Sequence, residues 1–388
     1  MLNKINKLID QHYDEMISIR RHLHQHPELS FHEEKTAAYI ADYYTKLDIP
    51  FETNVGGNGV IATIKGGKLG KTIALRADFD ALPIQDEKDV PYKSQVDGVM
   101  HACGHDAHTA SLLVLAKVIK EFQKDLRGTL ILVHQHAEEL PPGGATSIIE
   151  TGILNDIDAI FGNHFWSQTA VGKIHTRSGS FMAGADQFSI QINGAGGHGA
   201  YPHQTKDSIV IGASLVTQLQ TIVSRKLDPI ETAVLTIGEF NSGSSFNIIA
   251  DQAKLTGTVR YCNPDIQNLI IKEINQIIDG VAQTYDVEII LDYDKGYPPV
   301  INHPLETKIV LDAAKKIPEV IEAIEVMPQM AAEDFSYYLQ NKPGAFFFTG
   351  AEPAGKSYPH HHPMFDIDET ALPIAAKVLI GAYFEAQN

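Results

Sequence analysis

Apolar residues recur at helical spacing over residues 3–25 and 31–47, the second stretch opening near Ser30 with Glu33 and Glu34 in its first turn. Gly56-Gly57-Asn58-Gly59 marks a turn, and residues 60–65, 72–76, 129–134 and 159–162 are short apolar runs of the buried-strand kind. Between the second and third of these, residues 108–122 place Leu112, Leu113, Leu115, Ala116, Ile119 and Phe122 on a helical face. Asp106 stands where a cap for that helix belongs. Strands alternating with helices predict an α/β layer with a central mixed sheet flanked by helices.

The rhythm changes near residue 180. Residues 184–193 alternate as a strand, 207–223 read as a helix, and 233–240 and 254–261 read as strands. Pro264 opens a helix whose apolar face runs through Ile266, Ile270, Ile274 and Ile278, and 287–291 is a last strand. This strand–helix–strand–strand–helix–strand order predicts a smaller α+β block of ferredoxin-like type with its own core. It is expected to interrupt the larger domain, giving segments 1–182, 183–293 and 294–388. Gly296-Tyr297-Pro298-Pro299 reads as the return linker, followed by helices at 304–315 and from 331, a strand at 344–349 and a helix at 369–386.

Composition narrows the function classes. A formal net charge of −17 over 388 residues argues against nucleic acid or an anionic membrane as partner. Cys103 and Cys262 are the only cysteines, too few for a disulfide framework, so a reducing cytoplasm is the expected location. The first ten residues lack the apolar core of a signal peptide, and no run approaches the ~18 apolar residues of a membrane span.

Candidate chemistry concentrates in His101-Ala102-Cys103-Gly104-His105-Asp106-Ala107-His108. A thiolate and an imidazole two residues apart, with Gly104 between them, can reach a metal ion from one tight turn. Taken alone, the octet also admits a cysteine nucleophile with its base, or a small buried hydrophobe. Asp78 and Asp80, Glu138 and Glu139, His164, and the His360-His361-His362 trio each follow a candidate strand, where open α/β sheets place their sites. His22, His24 and His26, at alternate positions on a helix, diverge and read as structural. The glycine-rich 194–199 stretch carries His198 but lacks the Lys-Ser/Thr of a phosphate loop.

Together the motifs resemble the M20 metallopeptidase/amidohydrolase family, in its hippurate hydrolase and N-acyl amino acid amidohydrolase branch. The matching stretches are 20–28, Arg76-Ala77-Asp78-Phe79-Asp80-Ala81-Leu82-Pro83, His101 to His108, Ala137-Glu138-Glu139, Gly197-His198-Gly199-Ala200-Tyr201-Pro202-His203, Glu333-Asp334-Phe335 and His361-His362-Pro363-Met364-Phe365. The resemblance implies a metal-binding catalytic domain interrupted by a lid and dimerisation domain, hence a homodimer. It implies that Cys103, His105, Glu139, His164 and His361 ligate one or two divalent ions (Zn, Mn, Ni or Co), with Glu138 as general base and Asp80 orienting a ligand. It further implies that His198 stabilises an oxyanion and that Asn247 and Arg260 receive the substrate carboxylate. The expected reaction is hydrolysis of an N-acyl amino acid, with short-peptide cleavage or a non-catalytic metal-binding protein as alternatives. Two departures from the family pattern stand out: His136 replaces a proline, and His360 an apolar residue.

Overall fold

The computed structural model describes all 388 residues, which form two compact units. One comprises Met1–Phe181, Val300–Met327 and Asp334–Asn388, the other Met182–Pro299 and Pro328–Glu333. The insert thus runs somewhat beyond the expected 183–293, and a short later stretch groups with it. Main-chain pairing accounts for that stretch: Ala183 N donates to Gln329 O at 2.9 Å and to Ala331 O at 3.1 Å. The helix expected from 331 starts only at Ser336, spanning Ser336–Asn341.

The first unit is built on an eight-stranded mixed sheet. Its strands are β1 (Phe51–Val55), β2 (Gly59–Lys65), β3 (Lys68–Asp78), β4 (Arg127–Gln135), β5 (Ala159–Trp166), β6 (Lys173–Thr176), Glu322–Glu325 and Gly344–Gly350. Their order is β1-β2-β4-β3-β5, then Gly344–Gly350, β6 and Glu322–Glu325. Strands β4, β3, β5 and Gly344–Gly350 run parallel to one another and form the middle of the sheet. They are apolar on both faces because helices cover both, which is why the sequence shows continuous apolar runs there.

Helices α1 (Leu2–Gln11) and α2 (Tyr13–Gln25) replace the single expected helix and separate at His12. Helix α3 (Glu34–Lys46) begins four residues after Ser30. Helix α4 (His105–Glu121) is the buried heart of this layer, with Leu112, Leu113, Val114 and Leu115 all fully buried. Each such side chain contributes about 1.5–3 kcal/mol by leaving water, and Leu115→Ala would cost about 2–5 kcal/mol with its cavity. Gly104, at φ 93°, leads into α4, a left-handed conformation that favours glycine. Asp106 is therefore not the cap: it lies inside the first turn and accepts from Arg20 Nε at 3.0 Å.

The second unit carries a four-stranded antiparallel sheet ordered Ala233–Ser242, Gln252–Tyr261, Gly184–Asn193, Glu288–Asp294. Helices Ser208–Thr221 and Pro264–Tyr285 pack into one core with it, joining Leu215, Leu219, Ile270 and Ile274 to Phe188, Ile190 and Leu255. This is the ferredoxin-like arrangement read from the periodicity. Asp207 caps the first helix through Ile209 N at 2.9 Å, and Asn263 the second through Asp265 N at 3.0 Å.

Candidate metal centre

The central parallel strands all end on the same edge of the sheet, and the chemistry-bearing residues collect there. Asp80 follows β3, Glu138 and Glu139 follow β4, His164 lies near the end of β5, and His360 and His361 follow Gly344–Gly350. The turn before α4 brings Cys103 and His105 to the same place. Cys103 Sγ lies 3.3 Å from His164 Nε2, and His361 Nε2 lies 3.3 Å from Glu139 Oε2. Three triads, Cys103/His105/His164, Cys103/Glu139/His361 and His105/Glu138/Glu139, each place ligating atoms within 4.8 Å of one another.

Hydrogen bonds orient the rings. His105 Nδ1 donates to Asp80 O at 3.0 Å and Oδ1 at 3.1 Å, leaving Nε2 turned towards Glu139, where a cation can take the place of its proton. His164 Nδ1 donates to Phe165 O at 2.7 Å, which leaves its Nε2 facing Cys103. Asp80 is itself held by Ser30 Oγ at 2.7 Å and by the Glu139 amide at 2.9 Å. Burial raises the Asp80 carboxyl, but the His105 hydrogen bond and charge, the Glu139 amide and the Ser30 hydroxyl outweigh it and hold it below the usual range.

Two buried atoms decide what the cluster fits. His105 Nε2 and Glu139 Oε1 have no hydrogen-bond partner, yet they face each other at 3.8 Å. Buried polar atoms are rarely left so, and a cation between them satisfies both. Electrostatics agree. Burial lowers His105, but the Asp78, Asp80 and Glu139 carboxylates override it and push its pKa up to about 10. Burial, then Glu139, Glu138 and Asp78, push the Cys103 thiol well above its ordinary value. Reactive cysteines sit in electropositive surroundings, so the carboxylates here oppose a nucleophilic Cys103. The mixed S, N and O ligating atoms fit a divalent cation.

Other residues support the cluster from behind. Asp78 accepts from His108 Nδ1 at 2.5 Å and from buried Arg76, and His108 Nε2 accepts from Phe165 N at 3.1 Å. Arg76 also reaches Asp334 at 3.0 Å. Sequence reasoning placed Asp78 and His108 among the candidate chemistry but gave neither a role in the site, although a signal existed. Asp78 ends β3 two residues before Asp80, and His108 shares a helix face with His105 at i and i+3. His101 is buried, and burial lowers its pKa to about 4, but it supplies no ligating atom to the three triads. His136 packs over Gly57, at φ 130°, where a Cβ would meet its Nε2 at 2.6 Å. That glycine makes room for an imidazole just before Glu138 and Glu139.

His198, Asn247 and Arg260 lie in the insert. His198 is exposed in a two-residue strand paired with Ile248, and its Nδ1 accepts from Ala200 N at 3.1 Å, so Nε2 carries the proton. Asn247 is exposed, with Oδ1 accepting from Ser245 Oγ at 3.0 Å. Arg260, half-buried in the strand Gln252–Tyr261, bonds Thr258 Oγ1 and Val259 O.

Comparison with known proteins adds the following. The model of peptidase family M20/M25/M40 matches residues 74–384. YhaA of Bacillus subtilis (strain 168) is 53% identical over 381 residues, covering 98% of this chain and 96% of YhaA. The N-acyl-L-amino acid amidohydrolase of Geobacillus stearothermophilus is 42% identical over 305 residues, 77% of this chain and 81% of that protein. The N-acetyl-L-cysteine deacetylase of B. subtilis is 41% identical over 358 residues, 92% and 85%. Among solved structures, B. subtilis YXEP, described as a dinuclear metal binding peptidase, superposes with a TM-score of 0.84 at 32% identity, covering 98% of this chain and 100% of that one.

Proposed function

The chain belongs to peptidase family M20/M25/M40, and we propose that it is a metal-dependent hydrolase that cleaves N-acyl amino acids to a carboxylate and a free amino acid. The observation that carries the metal part is the pair of unpartnered buried atoms, His105 Nε2 and Glu139 Oε1. The names of the amidohydrolase and deacetylase relatives support the substrate class.

Cys103, His105, Glu139, His164 and His361 hold one or two divalent ions in this reading. Sulfur and imidazole favour Zn, Ni or Co, and the carboxylate admits Mn. Bound there, a divalent ion supplies Lewis acidity and brings the pKa of water from 15.7 to about 7. Glu138, buried but not needed as a ligand, takes the proton of the attacking water and hands it to the leaving amine. Asp80 fixes the His105 ring so that Nε2 points at the site. His198 contributes an Nε2–H for the developing oxyanion, and Arg260 with Asn247 receives the substrate carboxylate, for which a guanidinium is suited. A homodimer through the insert belongs to the same proposal, supported by exposed Ile209, Val210, Val234 and Phe240.

The test is a hydrolysis panel of N-acetyl amino acids, N-benzoyl amino acids, their C-terminal amides and dipeptides, with metal content measured on the same sample. Metal-dependent release from the N-acyl acids, and much slower release from the amides, is the expected result. Equal kcat/KM for acid and amide would remove the carboxylate subsite, and preference for dipeptides would replace the acyl substrate class.

A further inference from the structure

His360 is a half-buried ring that the reaction as described does not use. Trp166, Phe365 and His164 enclose it, with ring centroids at 4.7, 5.0 and 5.1 Å. Two polar groups meet its edges: the Ser167 amide lies 3.5 Å from Nε2, and Cys103 Sγ lies 3.8 Å from Nδ1. A main-chain N–H only donates, so Nε2 must offer it a lone pair, and the ring proton then sits on Nδ1. A proton on Nε2 instead would set two donors against each other. The tautomer chosen by Ser167 therefore aims an N–H at sulfur and leaves Nδ1 no lone pair with which to bind an ion.

We propose that His360 is a positioning residue for the Cys103 thiolate, donating Nδ1–H to Sγ. The inference rests on the reading of Cys103 as a metal ligand. A thiolate that shares charge with an N–H donor gives less of it to an ion, which preserves the ion's electrophilicity, and the bond also fixes the sulfur's direction.

The full-length chain loaded with cobalt(II) provides the test, through its sulfur-to-cobalt charge-transfer band, with Cys103→Ser identifying that band by its loss. In His360→Leu the band is expected at longer wavelength, because sulfur charge no longer shared is more easily moved to the ion. Cobalt stoichiometry should be unchanged, because His360 acts on the ligand rather than as one. His360→Asn, whose amide N–H lies near the place of Nδ1, should return the band towards its original position. His360→Phe, a ring without a donor, should shift it as Leu does and serves if the Leu variant fails to fold. An unmoved band in both the Leu and Phe variants overturns the inference, as does loss of one cobalt per chain, which would make His360 a ligand. Absence of any sulfur band in the unaltered protein overturns the reading of Cys103 itself, and His360's role with it.

Discussion

Two groups of buried histidines in the first unit differ in what their second nitrogen meets. His24 bonds Asp106 at 2.8 Å through Nδ1 and Lys88 Nζ at 2.8 Å through Nε2. His134 bonds Tyr44 at 2.7 Å and Thr109 at 3.2 Å. Each of these rings is complete. His105 and His164 also have one nitrogen fixed, by Asp80 and by the Phe165 carbonyl. Their other nitrogens point into a shared space with a thiol and two carboxylates. Density of histidine is thus a poor sign of a metal centre; an oriented ring whose second nitrogen has no hydrogen-bond partner is a better one.

The sharpest way to break this contrast is to alter the carboxylates that complete the second group. Glu138→Gln should lower turnover by roughly 10²–10⁴-fold, the contribution of a general base, with metal content unchanged. Glu139→Gln should lower metal occupancy as well. Reversed phenotypes, read by kinetics and metal analysis together, would exchange the two roles.

His198 has a third arrangement, one nitrogen fixed as an acceptor and the other left as an exposed donor. Removing it as His198→Ala should reduce kcat by about 10²–10³-fold while leaving metal content intact. A loss confined to KM would assign it to substrate binding.

His24→Leu probes the complete rings. It leaves Asp106 and Lys88 short of a buried partner, so a loss of about 1–3 kcal/mol is expected in denaturant unfolding, with metal stoichiometry unchanged. Loss of metal without loss of stability would move His24 into the other group.

The last effect, confined to acid pH, is one of protonation. Burial raises the Asp366 carboxyl, but Arg20 and Lys88 charges and the Tyr92 hydroxyl overcome it and bring its pKa to about 2. A folded pKa below the unfolded value of about 3.9 means stability that is present above pH ~4 and lost as pH falls towards about 2, worth ~2–3 kcal/mol. Asp366→Asn should flatten that acid limb, and an unchanged limb would place the acid sensitivity elsewhere.

The site's location was legible because its residues follow strands, and strand ends share an edge in a parallel sheet. Cys103 with His105, Glu139, His164 and His361 came from four different approaches to that edge, and the structure brings all five residues together. The supporting residues were not legible, since their partners are remote in sequence. Nothing near Arg76 announces Asp334, 258 residues on, and nothing near Arg20 announces Asp366, 346 residues on. Asp106 was read as a cap because capping is local; Arg20 and His24 claim it instead. In the insert the cores follow the alternation directly, because each strand there has one buried and one open face. The break at His12 had no apolar signal, as the periodicity continues across it.

The most direct measurement is metal content per chain in the unaltered protein, Cys103→Ala and His24→Leu, after loading and exhaustive dialysis. One or two divalent ions in the unaltered protein and in His24→Leu, with loss of metal and activity together in Cys103→Ala, is the expected result. Full metal content in Cys103→Ala with activity intact would remove Cys103 from the site, and full content with activity lost would return it to the role of nucleophile.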